Sequence, residues 1–208
     1  MEALKSKPYF EEVSQDWDSM GNSFFGDRPR DTIYKDIKVT NGMHIADIGS
    51  GAGYLLEPLI DEAVHLYAFD QSPNMLQVIK TKFGDNVNAI ESTSENLDCP
   101  TGHMDIVMAN MYLHHVERPK QAITEMVRIL KPGGTLIFTD LDRHDYDFLI
   151  TEQHDRWKGF ERSDIEQWMS IAGLQKVLIN CVGATCCADS GCSDTKAEIG
   201  IFIAKGIK

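Results

Sequence analysis

The sequence predicts an α/β fold, a doubly wound, mainly parallel sheet of seven strands with an antiparallel last strand. Two observations carry this. Short apolar runs alternate with amphipathic, helix-length stretches from residue 44 to residue 140, the pattern of successive βαβ units. Beyond residue 174 two apolar runs follow one another with no helix between them, so they are expected to close the sheet as an antiparallel pair.

Each element has its own signal. The first 40 residues are polar and helical in pattern, with aromatic anchors at Tyr9, Phe10, Trp17, Phe24 and Phe25. They are expected to form an N-terminal helical cap, either a lid over the site, which the aromatics near Gly26-Asp27-Arg28-Pro29 would suit, or a segment docked on the sheet edge, on one domain spanning residues 1–208. His44–Ile48, His65–Asp70 and Val87–Glu91 read as strands, as do residues 105–109 and 135–140. Residues 54–63 read as a helix. So do residues 73–82, with Ser72 as N-cap and Pro73 in the first turn. Residues 120–130 carry apolar side chains at Ile123, Met126, Val127 and Leu130, at helical spacing, and Lys131-Pro132-Gly133-Gly134 stops that helix. Residues 160–172 read as a further helix, residues 174–182 and 198–204 as the last two strands, and residues 183–193 as a loop between them. In such a sheet the loops after the strand C-termini line one edge, where open α/β sheets bind ligands.

Composition narrows the function. Among 208 residues, 42% are hydrophobic and 25% charged, the range of ordinary globular chains. The net charge of −12 disfavours a phosphate-backbone partner, so no nucleic acid is expected. No apolar run reaches membrane-spanning length, and residues 1–10 lack the apolar segment of a signal peptide. A cytoplasmic monomer or homodimer without membrane insertion is expected. Five cysteines, Cys99, Cys181, Cys186, Cys187 and Cys192, point to free thiols rather than a disulfide framework.

The strongest local motif is Asp47-Ile48-Gly49-Ser50-Gly51-Ala52-Gly53, between a strand and the following segment. Glycines at 49, 51 and 53 allow a tight turn with close backbone approach to a ligand. The dinucleotide fingerprint requires Gly or Ala where Tyr54 stands, so a ligand without pyrophosphate is favoured, and Asp47 suits a cationic amino group. The second strand ends in Asp70, placed to accept hydrogen bonds from both hydroxyls of a ribose, or to serve the helix that starts at Pro73.

These residues resemble motifs I and II of the class I S-adenosylmethionine (SAM)-dependent methyltransferases. Glu91-Ser92-Thr93-Ser94-Glu95-Asn96-Leu97 resembles that family's adenine-contacting segment, and Met104-Asp105-Ile106-Val107-Met108-Ala109-Asn110 its motif IV. Arg128-Ile129-Leu130-Lys131-Pro132-Gly133-Gly134-Thr135-Leu136 resembles the following segment in the ubiquinone/menaquinone-type branch. The resemblance spans about residues 9–205 and implies a Rossmann-like fold, SAM as cofactor, S-adenosylhomocysteine as product and a small-molecule acceptor. It places Asp47, Gly49, Ser50, Gly51 and Gly53 at the methionine part of SAM and Asp70 with Gln71 at the ribose. It puts Met75, Ser94 and Glu95 near the adenine, and Asn110 near the transfer site. Many relatives carry Asp where Thr93 stands, which leaves the adenine amino contact to Ser94, Glu95 or the backbone.

Two segments are candidates for catalysis. Tyr112-Leu113-His114-His115 follows motif IV, and His114 or His115 could act as general base for a hydroxyl or carbon-acid acceptor. Asp140, with Asp142, His144 and Asp145 after it, stands at the acceptor edge to bind or deprotonate an acceptor or to hold a metal. The tail is unusual. Strand alternation would bury one of Cys181 and Val182, and Cys181 is expected in the core. No metal site is expected, but Cys186, Cys187 and Cys192 look accessible and close enough to share a soft ion. The alternative is therefore a thiol-based metal(loid)-binding or sensing module, or an arsenite-type metalloid methyltransferase. The segment from His144 to Leu174 is similar to methyltransferases fused to arsenical-type repressors.

Overall fold

A computed structural model describes residues 26–192 and 195–208. Most of the expected N-terminal cap lies outside the described residues. Its described end forms helix α1 (Arg28–Asp36). The seven expected strands follow: β1 (His44–Ile48), β2 (His65–Asp70), β3 (Val87–Glu91), β4 (Met104–Asn110), β5 (Leu130–Leu141), β6 (Gln175–Asp189) and β7 (Lys196–Ile207). They form one sheet in the order β3-β2-β1-β4-β5-β7-β6. Strands β1 to β5 run parallel, and β7 is antiparallel to both of its neighbours.

Helices cover both faces, which is why the central strands are nearly continuous apolar runs. Helices α3 (Pro119–Ile129) and α5 (Arg162–Ile171) bury Ile123, Met126, Ile165 and Met169 against Phe138 and Phe202 on one face. On the other, Ile33 of α1 and Ile79 of α2 (Pro73–Phe83) join Leu55, Ile137 and Ile201. Ser72 caps α2 as expected, its side chain accepting from the Met75 N–H at 3.3 Å. A short helix α4 (Phe148–Glu152) follows β5. The chain order reverses between β1 and β4, so the crevice beyond their C-termini is the expected ligand site.

Four local expectations are corrected. Residues 54–63 form turns and a single 3-10 segment, Glu57–Leu59, instead of a helix. Pro58 has no N–H to give to Tyr54, and the Tyr34 hydroxyl and the Lys82 ammonium take the carbonyls of Leu55 and Ala52. Strand β5 starts at Leu130, with a bulge between Met104 and Ile106 on its partner β4 absorbing the Pro-Gly-Gly stretch. The expected loop 183–193 is largely strand: β6 runs to Asp189, pairing Thr185, Cys186 and Cys187 with Gly200, Ile199 and Glu198. Gly183, at φ 72°, sits in a register shift between Cys181 and Thr185, so the glycine marks a bulge rather than a turn. Val182 is buried and Cys181 exposed, the opposite of the expected orientation.

Candidate active site

A cavity of about 400 Å³ opens at the C-terminal edge of β1, β2, β4 and β5, within the size range of small-molecule sites. Its lower half is the glycine turn. Gly49 has φ +69°, and a Cβ there would stand 2.1 Å from the Tyr112 ring, so both the backbone conformation and the packing require glycine. The turn is fastened to β2: Asp70 accepts from the Gly51 N–H and from the Ser72 N–H, each at 2.9 Å. Asp70 thus serves the start of α2, one of its two sequence readings. One carboxylate oxygen organises the glycine turn and the other the start of α2.

Asp47, Gly49, Ser50, Gly51, Gly53, Asp70, Gln71, Met75 and Asn110 all border the cavity. Asp47 is 2% exposed. Burial, reinforced by the charge of Asp70, pushes its carboxyl up to about 8, so a cationic group is needed to ionise it at neutral pH. Thr139 donates to Asn110 Oδ1 at 2.7 Å, which turns the Asn110 amide N–H groups to other acceptors. Ser94 and Glu95 do not reach the cavity wall. Tyr112 stands between, with its hydroxyl bonded to Ser94, and Glu95 is engaged with the Arg118 N–H.

The upper half is built around Asp140, which is fully buried at the end of β5. It accepts from the N–H groups of Tyr112 (3.2 Å), Leu113 (2.7 Å) and Leu141 (2.8 Å). It also meets His114 Nδ1 at 2.8 Å. These bonds cap the short 3-10 turn Leu113–His115 and fix the imidazole with Nε2 directed toward Asp155 Oδ1, 3.9 Å away. His115 Nδ1 lies 3.6 Å from the same oxygen. Burial opposes charge on His114, but Asp140 and Asp155 outweigh it and hold the ring up at about 9. Burial and the neighbouring His114 charge push His115 well down. Burial raises Asp155 to about 6 despite His114.

The remaining loop residues part ways. Asp142 is held by Arg162 in a two-pronged pair at 2.7 Å, Asp145 is exposed, and His144 is buried. Asp155 had no sequence signal: it lies in a polar stretch after α4 that no periodicity marks. Cys186 lines the cavity, where burial and then Asp155 push its thiol up to about 12. Cys187, on the next residue of β6, faces the other way, near the Thr185 hydroxyl, and Cys192 is exposed. Among the described residues these thiols form no cluster able to share an ion, so the thiol-module alternative has no support.

Residues 46–138 match the family model described as a methyltransferase domain, the stretch that holds the glycine turn, Asp70 and Asn110. The chain is a SAM-dependent methyltransferase built on this domain. The methyltransferase is 25% identical over 189 residues to a ubiquinone biosynthesis O-methyltransferase of Coxiella burnetii, covering 80% of each chain. It is 30% identical over 129 residues to a demethylmenaquinone methyltransferase of Renibacterium salmoninarum, covering 62% of this chain and 53% of that one. Its fold matches the crystal structure of a SAM-dependent methyltransferase from Aquifex aeolicus with a TM-score of 0.68, at 17% identity and over 95% and 97% of the two chains. Among the described residues no helix is long and apolar enough to cross a membrane.

Proposed function

We propose that this methyltransferase acts on a small, largely apolar acceptor bearing an ionisable hydroxyl, of the quinol type, bound against His114, His115 and Asp155. The observation that carries this reading is the Asp140–His114 pair. A fully buried carboxylate, held by three backbone N–H groups, fixes one imidazole nitrogen and leaves the other at the cavity. Met111, Leu141 and Leu149 supply apolar wall beside it, and the two curated relatives are named for quinone-pathway methylation.

In this reading Asp47 receives the ammonium of SAM, Asp70 the ribose hydroxyls, and Met75 packs near the adenine. The sulfonium then points toward Asn110 and the acceptor wall. The neutral fraction of His114, which grows as pH rises toward about 9, takes the acceptor's proton at Nε2. The two carboxylates that favour the protonated ring also make the neutral ring a strong proton acceptor. The acceptor oxygen attacks the methyl carbon in line, and the carbon–sulfur bond breaks with its electrons passing to sulfur, leaving neutral S-adenosylhomocysteine. Alignment of the two reactants supplies much of the rate, on the order of 7–11 kcal/mol for well-placed groups.

The test is calorimetric titration with SAM and S-adenosylhomocysteine, followed by product detection with a panel of quinols and phenols. Saturable binding of both cofactors, weakened at least tenfold by Asp70→Ala, and a methylated product lost in His114→Ala are expected. Folded protein that binds neither cofactor, or that methylates hydroxyl acceptors equally well without His114, overturns the reading.

A further inference from the structure

We infer that His114 Nε2, His115 Nδ1 and Asp155 Oδ1 form a site for one borderline divalent cation, of the Zn²⁺ class, at the acceptor end of the cavity. The three ligand atoms come from two segments, the turn after β4 and the loop after α4, and lie within 4.8 Å of one another. Tetrahedral zinc ligands with bonds near 2.0–2.1 Å stand ~3.3 Å apart. The ligand atoms therefore need to close in by at most about 1.5 Å. The imidazole centroids are already 4.1 Å apart.

The surroundings have the second layer that metal-bound histidines require. A ligating imidazole donates its other N–H to a carboxylate, which fixes its tautomer and direction. His114 Nδ1 meets Asp140 at 2.8 Å, and Asp140 is itself anchored by three backbone N–H groups. The loop bearing Asp155 is bolted to the histidine turn. The N–H groups of Arg156 and Trp157 donate to the His114 carbonyl at 2.9 and 3.1 Å, and the Trp157 indole N–H to the Val116 carbonyl at 2.8 Å. Asp155 is 5% exposed, with the His114 and His115 rings 3.9 and 3.6 Å from its Oδ1. Two nitrogens and one carboxylate oxygen select a first-row borderline dication over hard or soft ions. Three protein ligands at a cavity wall leave the fourth position open, as in catalytic rather than structural sites.

The inference deepens the proposed function, whose acceptor wall it rests on for its consequence but not for ion binding itself. An acceptor hydroxyl entering the fourth position would release its proton to solvent and bind the ion as an alkoxide or phenolate. That oxygen would then attack the SAM methyl carbon. The ion would do the work assigned to the His114 lone pair in the ion-free protein.

The experiment uses metal-stripped, reduced full-length protein in which Cys181, Cys187 and Cys192 are replaced by Ser, so that surface thiols cannot bind the probe. Zn²⁺ is titrated calorimetrically and its stoichiometry measured after dialysis. Co²⁺ is added in parallel and its visible absorption recorded. One Zn²⁺ per chain and a tetrahedral Co²⁺ spectrum are expected. Affinity should fall at least about 100-fold in His115→Gln and in Asp155→Asn, and ~10–100-fold in Asp140→Asn. Circular dichroism and SAM binding serve as folding controls, and either of the first two variants suffices if the other does not fold. Absence of stoichiometric binding overturns the site, as does binding unchanged in a folded His115→Gln or Asp155→Asn protein. Zinc binding without SAM binding would sink the methyl-transfer reading and leave the ion site standing. Methylation by a protein that shows no stoichiometric zinc binding would sink the ion site and leave the methyl-transfer reading standing.

Discussion

Asp47 shows how one buried group would couple the proposed cofactor site to pH. Its carboxyl is pushed up to about 8 in the folded protein, against about 3.9 in an unfolded chain. The folded state therefore holds a proton that the unfolded chain has released. This contribution to stability is fully present below about pH 4 and is lost as pH rises through 8. Denaturation midpoints of the cofactor-free protein should accordingly fall across this window, with a smaller slope in Asp47→Asn. The SAM ammonium favours the ionised carboxylate, so binding should release a proton and tighten by up to about tenfold between pH 6 and pH 7. Calorimetry in two buffers of different ionisation enthalpy reads that proton directly, and a pH-independent affinity would remove Asp47 from the ammonium site. Gly49 makes a different demand. With φ +69° and the Tyr112 ring where a Cβ would stand, Gly49→Ala should cost on the order of 1–3 kcal/mol through strain and abolish SAM binding. Asp140→Asn keeps the shape but turns an N–H₂ group toward backbone donors. Stability should fall by about 1–3 kcal/mol for each group left unpaired, together with a loss of methyl transfer.

Elements transmit these positions to the cavity. Helix α2 begins where Asp70 and Ser72 share the capping work, and its first turn carries Met75 to the cavity wall. Ser72→Ala should cost ~1 kcal/mol, seen as a lower urea midpoint with an unchanged slope, and weaken SAM binding modestly. The helix was readable because Ser-Pro at its start is a local signal. The failure at residues 54–63 is equally local: Pro58 stands in the interior of a pattern that apolar spacing alone reads as helix. Strand β6 misled for another reason. Gly183 signals a turn in isolation, and only pairing with β7 converts it into a bulge that carries Cys186 to the cavity and turns Cys181 outward.

At the scale of the molecule a cofactor held in the proposed site would bridge loops from β1, β2 and β4, so binding should stabilise the whole sheet. At one hundred times its Kd, SAM contributes about 2.7 kcal/mol, which for a chain of this size is a rise in Tm of roughly 5–10 °C. A scanning fluorimetry titration measures it, and S-adenosylhomocysteine should act alike. The sequence by itself determined the seven strands, the glycine turn with Asp70 beside it, and the cofactor class. All of these rest on periodicity and on residues close together in the chain, where local sterics and hydrogen bonding decide. The acceptor side needed the tertiary structure. Asp155 meets His114 across 41 positions of chain, Asp140 reaches it across 26, and Cys186 arrives from an antiparallel strand. No local pattern encodes such distances. They follow from the strand order and from burial, which brings unlike charges together where water cannot screen them.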